Sequence, residues 1–261
     1  MALIDINGVS LEVERIVGVG RPGRAPIVFL HEGLGSVSQW TTRQGDWPLA
    51  VCQASERDGM VYSRRGYGRS DPIPDVRGAH RLRPDYMHEH AESVLPALLH
   101  TLGIERPVLL GHSDGGTIAL LHASRHPVSA CVVMAPHVMV EPISIQAITA
   151  AREAYLQGSL RERLSRYHDH VDCAFWQWND IWLSPAFRSF DIRDDCRRIA
   201  APILALQGRE DPYGSLQQIE DIHPDHGRIE LCVLDHCGHA PQRDQSEACT
   251  DRIVRFLATC P

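Results

Sequence analysis

Segments with the hydrophobic pattern of strands alternate along the chain with segments that have the pattern of helices. Apolar and polar positions alternate over residues 9–17, as expected of a strand with one buried face. Short apolar runs bounded by turn residues, typical of strands buried on both faces, occupy residues 26–30, 60–63, 107–110, 128–134, 202–206 and 229–234. Helical spacing of apolar residues predicts helices over 86–102, 115–123, 216–222 and 247–257. Strands alternating with helices predict an α/β fold whose parallel sheet is covered on both faces.

One segment without strands interrupts this alternation. Residues 138–194 show helical patterns only, and they lie between two predicted strands. They predict a helical cap inserted into a core domain that is formed by residues 1–137 and 195–261. A chain of 261 residues, 43% of them hydrophobic, is long enough to bury one large core with such a cap.

The composition narrows the class of function. The formal net charge of −7 and the lack of a basic cluster argue against a nucleic-acid partner. All 26 basic residues are arginine, so Schiff-base chemistry, which needs a lysine, is excluded together with pyridoxal phosphate. We expect a small-molecule substrate and no cofactor, whereas nothing in the sequence decides between a monomer and a homodimer.

The composition also bears on location. No stretch approaches the roughly 20 apolar residues of a membrane span, and residues 1–10 lack the basic segment of a secretory signal. The 8 cysteines include no C-x-x-C pair, which favours buried free thiols in a reducing compartment. These features predict a cytoplasmic protein that makes no contact with a membrane.

The segment Gly111-His112-Ser113-Asp114-Gly115 matches the G-x-S-x-G pattern of a nucleophile elbow. It lies between a predicted strand and a predicted helix, the context in which this pattern is informative. The tight turn needs flanking residues without bulk, and it would raise the Ser113 hydroxyl above the sheet edge, beside a helix N-terminus. Ser113 is therefore the predicted nucleophile. Asp114 is a rival, but centring the motif there would put His112 where a small residue is needed.

A nucleophilic serine needs a base, and the base needs an acid that orients it. Asp211 follows a predicted strand, at the sheet edge where sites of α/β proteins form. His239 follows the last predicted strand, so the chain order is the one expected after such an elbow. The alternatives are Glu210 or Glu141 as the acid and His236 as the base.

The oxyanion of an ester intermediate needs two donors. The first predicted donor is the backbone N–H of Asp114, just after the nucleophile. The second should come from the Gly-containing loop over residues 31–36, where Gly33 is preferred and Glu32 and Leu34 are alternatives. A carboxylate at Glu32 would repel a developing oxyanion unless it points away or is neutralised.

Two histidine pairs raise the question of a metal. The pairs His168/His170 and His223/His226 lack a third ligand at a recognisable spacing. We therefore predict no metal site and interpret these histidines as solvated polar side chains.

Five segments together resemble the α/β-hydrolase superfamily, in particular its compact bacterial members with a helical cap. They span nearly the whole chain and are Leu30-His31-Glu32-Gly33, Gly66-Tyr67-Gly68-Arg69-Ser70-Asp71, Gly111-His112-Ser113-Asp114-Gly115-Gly116, Gly208-Arg209-Glu210-Asp211 and Gly238-His239-Ala240-Pro241. The resemblance implies a mostly parallel eight-stranded sheet with the cap inserted after strand six. The superfamily usually has His-Gly where this chain has His31-Glu32, with Gly33 one place later.

Aromatic residues concentrate in the predicted cap. Phe175, Trp178 and Trp182 fall at i, i+3 and i+7, on one helix face. This face either forms a lid over Ser113 that binds an apolar or aromatic substrate or packs the cap on the core.

The residues and the resemblance favour a serine hydrolase, a carboxylesterase acting on a small ester, thioester or lactone through an acyl-enzyme. The alternatives are C–C bond hydrolysis of ring-cleavage diketones, perhydrolysis, and a ligand receptor built on the same fold.

Overall fold

The computed structural model describes residues 1–42 and 45–260. In this part of the chain an eight-stranded sheet forms the centre of the fold. Its strands are β1 (Ala2–Ile6), β2 (Val9–Ile16), β3 (Ile27–Leu30), β4 (Gly59–Tyr62), β5 (Val108–His112), β6 (Ala130–Met134), β7 (Ile203–Gly208) and β8 (Ile229–Leu234). They lie in the order β1-β2-β4-β3-β5-β6-β7-β8; β2 runs antiparallel to both β1 and β4, and the other neighbouring strands are parallel. The predicted fold class is confirmed.

Helices cover both faces of the sheet. They are α1 (Trp47–Ser55), α2 (Tyr86–Glu89), α3 (Leu95–Thr101), α4 (Asp114–Ala123), α5 (Pro142–Leu156), α6 (Ser159–Leu164), α7 (Val171–Trp182), α8 (Arg193–Cys196), α9 (Gln217–Glu220), α10 (Pro241–Asp244) and α11 (Ser246–Leu257). A π-helical turn, His90–Val94, joins α2 to α3, and short 3₁₀ turns occupy Val37–Trp40 and Pro185–Ser189. A separate two-stranded pair joins Thr41–Thr42 to Gly45–Asp46.

The continuous apolar runs have a simple structural reason. Strand β3 is buried at every position, and its residues alternate between two hydrophobic clusters. Val28 and Leu30 belong to the cluster that packs against α2 to α4 and the inserted helices, whereas Ile27 and Phe29 belong to the cluster against α1 and α11. A strand with a core on each side has no solvent-facing position at which a polar residue is favoured.

Strand β1 and helix α1 are among the elements that the pattern did not predict. Strand β1 is mostly exposed at the sheet edge, so it shows little hydrophobic signal. Helix α1 has a clear local start, because Asp46 accepts a hydrogen bond from the Leu49 amide (3.0 Å) and Pro48 stands in the first turn. This capping signal could have identified the helix, although its hydrophobic periodicity could not.

Helices α5 to α8 follow β6 and precede β7; α5 to α7 lie within residues 138–194, which were predicted to form a cap, and α8 crosses the end of that range. An isolated antiparallel bridge between Met139 and Asp191 closes the base of this segment. The amide of Ile192 also donates to the carbonyl of Val138 (2.8 Å). The segment therefore leaves and rejoins the sheet at nearly one point, although its status as a separate domain remains a prediction.

The register of the parallel strands positions the site. Leu30 pairs with Gly111, His112 with Met134, and Met134 with Leu206. The carboxyl ends of β3, β5, β6 and β7 therefore lie at one edge of the sheet, and the loops that follow them meet there. Among the helices of the described residues, none combines the length and apolarity needed to cross a membrane.

Candidate active site

Ser113 lies at a strained turn between β5 and α4. Its backbone has φ 53° and ψ −120°, a conformation that is rare for residues other than glycine. A Cβ atom at Gly111 would lie 2.2 Å from the Gly115 carbonyl oxygen, and one at Gly115 would lie 2.1 Å from that of Leu30. The two glycines are thus required sterically, and the turn holds Ser113 at the helix N-terminus.

His239 connects Ser113 to Asp211 through hydrogen bonds. The Oγ atom of Ser113 lies 2.9 Å from Nε2 of His239, and Nδ1 of His239 lies 2.8 Å from Oδ2 of Asp211. Because an ionised carboxylate can only accept, Nδ1 carries a proton and donates it to Asp211. Nε2 is then free to accept from the Ser113 hydroxyl, as a general base must.

Asp211 is buried and held in its ionised form. It accepts hydrogen bonds from the Gln207 side chain (2.7 Å) and the Tyr213 amide (2.8 Å), besides that from His239. Burial alone would raise the pKa of Asp211, but the hydrogen bond and charge of His239 and the Tyr213 amide lower it below its ordinary value. A Cβ at Gly208 would lie 2.1 Å from the Gly238 carbonyl oxygen, so the loops that carry the acid and the base are in close contact.

The alternative acids and base have other partners. His236 and Glu210 face each other at the surface, with 3.5 Å between Nδ1 and Oε1. Glu141 accepts from the amide and the hydroxyl of Ser215 at 2.9 and 2.7 Å. Asp211 and His239 are therefore the residues that the structure brings to Ser113.

Gly33 and Asp114 line the same cavity as Ser113. Asp114 is the first residue of α4, and the first amides of a helix have no acceptor within the helix. Arg64 donates to the carbonyls of His31 (2.6 Å) and Glu32 (2.9 Å), which fixes the backbone before Gly33. A Cβ at Gly33 would lie 2.2 Å from the Trp178 indole nitrogen, so only glycine lets this indole pack on the loop. The two donor assignments remain predictions.

Glu32 is neutralised by its neighbours. Its Oε2 lies 3.1 Å from Nδ1 of His112, and its Oε1 lies 3.7 Å from Nη2 of Arg243. Burial would raise the pKa of Glu32, but the charge and hydrogen bond of His112, with Arg243, hold it well below its usual range. The carboxylate is thus paired with His112 and Arg243, which meets the condition of neutralisation stated above for Glu32.

A cavity of about 810 Å³ opens over Ser113, a size suited to a small-molecule ligand. Trp178 and Trp182, two residues of the aromatic face considered above, line it and are also largely buried in the core. The structure places the third predicted residue, Phe175, elsewhere: its ring stacks on that of Tyr155 with 3.6 Å between centroids. Almost every residue of α7 is buried, so its periodicity does not show which face meets the cavity.

His137 lines the cavity but was missed in the sequence. Its ring lies 4.8 Å from that of Trp182 and 5.8 Å from that of His239. Within the described residues its Nδ1 is buried and has no hydrogen-bond partner. Burial, with the charge of His239, lowers the pKa of His137 to about 3, so the ring is neutral at pH 7. Its place directly after a strand, like that of Asp211, is the signal that could have found it.

The interpretation of His168 as a solvated side chain is wrong. This ring is buried, its Nδ1 accepts from the Gly68 amide (2.9 Å), and its Nε2 donates to the Leu34 carbonyl (3.0 Å). His168 therefore ties the inserted segment to two loops of the core. Across residues 1–42 and 45–260, no group of three or more His, Cys, Asp and Glu side chains is arranged to hold a metal.

Comparison with known proteins shows the family of this chain. A model of the alpha/beta hydrolase family matches residues 27–252. The chain belongs to this family. Its relatives include the putative carbamate hydrolase RutD of Agrobacterium fabrum (strain C58), 25% identical over 89% of this chain and 93% of the relative.

A second relative of this α/β hydrolase is the bifunctional esterase/perhydrolase DCH of Acinetobacter calcoaceticus, 25% identical over 73% of this chain and 76% of the relative. Among solved structures, the esterase EaEST from Exiguobacterium antarcticum superposes with a TM-score of 0.74 at 20% identity, covering 98% of each chain. The family and its relatives support hydrolase activity, whereas the scissile bond belongs to the proposal below.

A buried hydrogen-bond chain links the elbow of this hydrolase to the inserted helices. The Tyr86 hydroxyl donates to Oδ2 of Asp114 (2.6 Å) and accepts from Nε1 of Trp182 (3.1 Å). Among the described residues, Oδ1 of Asp114 has no hydrogen-bond partner. The Tyr86 hydroxyl thus joins Asp114, at the start of α4, to Trp182 in the wall of the cavity.

Tyr86→Phe is expected to lower the free energy of unfolding by about 1–3 kcal/mol, because it leaves a buried carboxyl and an indole N–H unpaired. Urea unfolding would measure this. Tyr167→Phe, which removes a hydroxyl from an exposed ring, serves as the control and should change stability by less than about 0.5 kcal/mol. Equal effects of the two changes would contradict the role given to Tyr86.

Proposed function

We propose that this α/β hydrolase is a serine esterase whose nucleophile is Ser113, whose base is His239 and whose orienting acid is Asp211. One observation carries the proposal: the unbroken hydrogen-bond chain from Oγ of Ser113 through His239 to Asp211. Ser113 and His239 line a ligand-sized cavity. The strained backbone at Ser113 serves to present its hydroxyl to that cavity.

Acylation follows from the hydrogen-bond directions. Oγ of Ser113 attacks the ester carbonyl carbon while its proton passes to Nε2 of His239. The carbonyl π electrons move to oxygen, and the amides of Asp114 and Gly33 stabilise the oxyanion. Collapse of this intermediate breaks the bond to the alcohol, which takes the proton back from His239.

Deacylation repeats these steps with water as the nucleophile. His239 takes a proton from the water as it attacks the acyl-enzyme, and returns that proton to Ser113 when the acid leaves. Asp211 stays ionised throughout and stabilises the imidazolium that forms twice in each cycle. Its several hydrogen bonds and low pKa suit this task.

The walls of the cavity support an apolar or aromatic portion in the substrate. Trp178 and Trp182 line one part, and Ile148, Leu160 and Leu164 also contribute. Aromatic and aliphatic walls favour burial of apolar surface on binding, at about 25 cal/mol per Å² of area removed from water.

A fluorophosphonate probe tests the proposal directly. Its phosphorus reacts with an activated serine hydroxyl and displaces fluoride, so Ser113 is expected to acquire the covalent mass of one probe. Mass spectrometry of the digested protein would locate the adduct. Ser129→Ala, a change at another largely buried serine, serves as the control and should leave labelling intact. Labelling elsewhere, or none in a folded protein, would contradict the proposal and favour a ligand receptor.

A panel of substrates then tests which kind of bond the enzyme cleaves. The arms are 4-nitrophenyl esters of increasing acyl length, a carbamate, a ring-cleavage diketone, and an ester in the presence of hydrogen peroxide. The carbamate and peroxide arms follow the names of relatives, and the diketone arm follows the alternative drawn from the sequence. We expect turnover of the esters to exceed that of the other substrates.

A further inference from the structure

Two arginines line the cavity, and their environments differ. Arg243 already has partners within the protein: its Nη2 lies 3.7 Å from Oε1 of Glu32 and donates a hydrogen bond to the Gln39 carbonyl (3.0 Å). Arg163 lines the cavity from α6 and is exposed. Within residues 1–42 and 45–260, its guanidinium has neither an ion-pair partner nor a hydrogen bond. Arg163 is therefore a cation of the cavity whose donors are available to a ligand.

The residues around Arg163 form an amphipathic wall. Leu160, Arg163, Leu164 and Tyr167 all line the cavity, and their spacing of i, i+3, i+4 and i+7 places them on one side of α6 and the turn after it. Aliphatic side chains on this wall lie beside a cationic one. The wall can thus contact an apolar chain and, at the same time, a negative group attached to it.

Arg163, Tyr213 and Ser113 line the same cavity. The ring of Tyr213 lies 4.7 Å from that of His239. Burial and Asp211 raise the pKa of Tyr213, and the charge of Arg163 acts against them. One small molecule can therefore place its reacting carbonyl at Ser113 and a charged end at Arg163.

The charge of the cavity favours an anion at this place. The chain as a whole carries a formal charge of −7, which repels anions at long range. Of the two carboxyl groups that line the cavity in the described structure, Glu32 is paired with His112 and Arg243. The other, Asp114, is fully buried and hydrogen-bonded to Tyr86. Both carboxyl groups therefore have partners within the protein, whereas the donors of Arg163 remain available to an anion.

We propose that the substrate is a carboxylate-bearing ester whose anionic end binds Arg163 while its acyl carbon lies at Ser113. This rests on the proposed esterase function and names its substrate class. Guanidinium and carboxylate form paired charge-assisted hydrogen bonds, which are about twice as strong as neutral ones. The bonds form at an exposed cation, so they require little desolvation of the protein.

Pairs of esters that differ in charge and little else test this inference. On the acyl side, the 4-nitrophenyl monoester of glutaric acid is compared with 4-nitrophenyl pentanoate. On the alcohol side, 4-acetoxybenzoate is compared with 4-acetoxybenzamide. Arg163→Gln is expected to lower kcat/KM for the anionic member of at least one pair about two- to fivefold more than for its neutral partner, the range of an ion pair at an exposed cation. The pair that responds shows which side of the ester carries the carboxylate.

Arg166→Gln is the matched control, because Arg166 follows on the same segment but pairs with Glu162 (3.8 Å) and does not line the cavity in the described structure. It should keep the wild-type ratio between anionic and neutral esters. The ratio of the wild type should also fall as salt is raised, since an exposed charge is screened. An unchanged ratio in Arg163→Gln for both pairs would overturn the inference and leave the esterase proposal standing.

Binding measurements distinguish failure of the anionic-substrate inference from failure of the proposed esterase function. In Ser113→Ala, which cannot turn esters over by the proposed route, each ester can be titrated by following tryptophan fluorescence of the cavity wall. We expect the anionic member to bind more tightly, and the added change Arg163→Gln to remove the difference. Equal affinity for both members would overturn the anionic-substrate inference even if the wild type hydrolysed no ester.

Discussion

Ser113→Ala and His239→Ala are each expected to lower kcat for ester hydrolysis by about 10⁶-fold, the loss typical when a nucleophile or its base is removed. The reason lies in the geometry of one hydrogen bond, 2.9 Å between Oγ and Nε2. Without the hydroxyl no acyl-enzyme forms, and without the imidazole the hydroxyl keeps its proton. Asp211→Asn should cost about 10⁴-fold, because the amide would favour the wrong imidazole tautomer.

The double variant Ser113→Ala/His239→Ala makes this prediction sharper. When two residues act in the same step, removing the second one after the first causes little further loss of rate. The double variant should therefore be about as slow as either single variant. Steady-state kinetics with a 4-nitrophenyl ester would measure all three. His236→Asn is the control, since this exposed residue has φ 53°, which asparagine tolerates. It should retain activity within about twofold, whereas multiplicative losses in the double variant would show that the residues act independently.

The central residues of the site could be predicted because local constraints fix them. The turn at Ser113 excludes a Cβ at Gly111 and Gly115, so the chemistry leaves a pattern in adjacent residues. The acid and the base follow strands whose carboxyl ends share one edge of the sheet. The order Ser…Asp…His along the chain then indicates which residues they are. Short-range steric constraints and the topology of the sheet can both be predicted from a sequence.

The cavity wall could not be predicted in the same way. Helix α7 is buried at every residue from Cys173 to Trp182, so hydrophobic periodicity carries no information on which side faces the ligand. Phe175 shares the predicted face with Trp178 and yet stacks on Tyr155. Likewise, the pairing of Glu32 with His112 joins a loop to the end of strand β5, 80 residues further along the chain. Such contacts depend on how the inserted helices pack, which is not a local property.

Acidification is expected to destabilise the fold well above the pH at which most carboxylates titrate. Burial lowers the pKa of His90 to about 3, that of His122 to about 4 and that of His137 to about 3. Unfolding exposes these rings to water, where their pKa returns to about 6.5. A folded pKa below the unfolded one means that stability is fully present above pH 6.5 and is lost as the pH falls. Asp114, whose pKa is raised by burial, acts in the opposite sense.

Each of these histidines should cost about 1 kcal/mol of unfolding free energy between pH 7 and pH 5.5, or about 3–4 kcal/mol for the three. Urea unfolding at several pH values would measure the slope. His122→Gln removes one titrating group while its amide can still donate to the Ala91 carbonyl, as Nδ1 of His122 does at 2.9 Å. Between pH 7 and pH 5.5 this variant should lose about 1 kcal/mol less unfolding free energy than the wild type, so its slope should be shallower. An unchanged slope would show that the folded protein accepts a proton on this ring, and that burial does not keep it neutral.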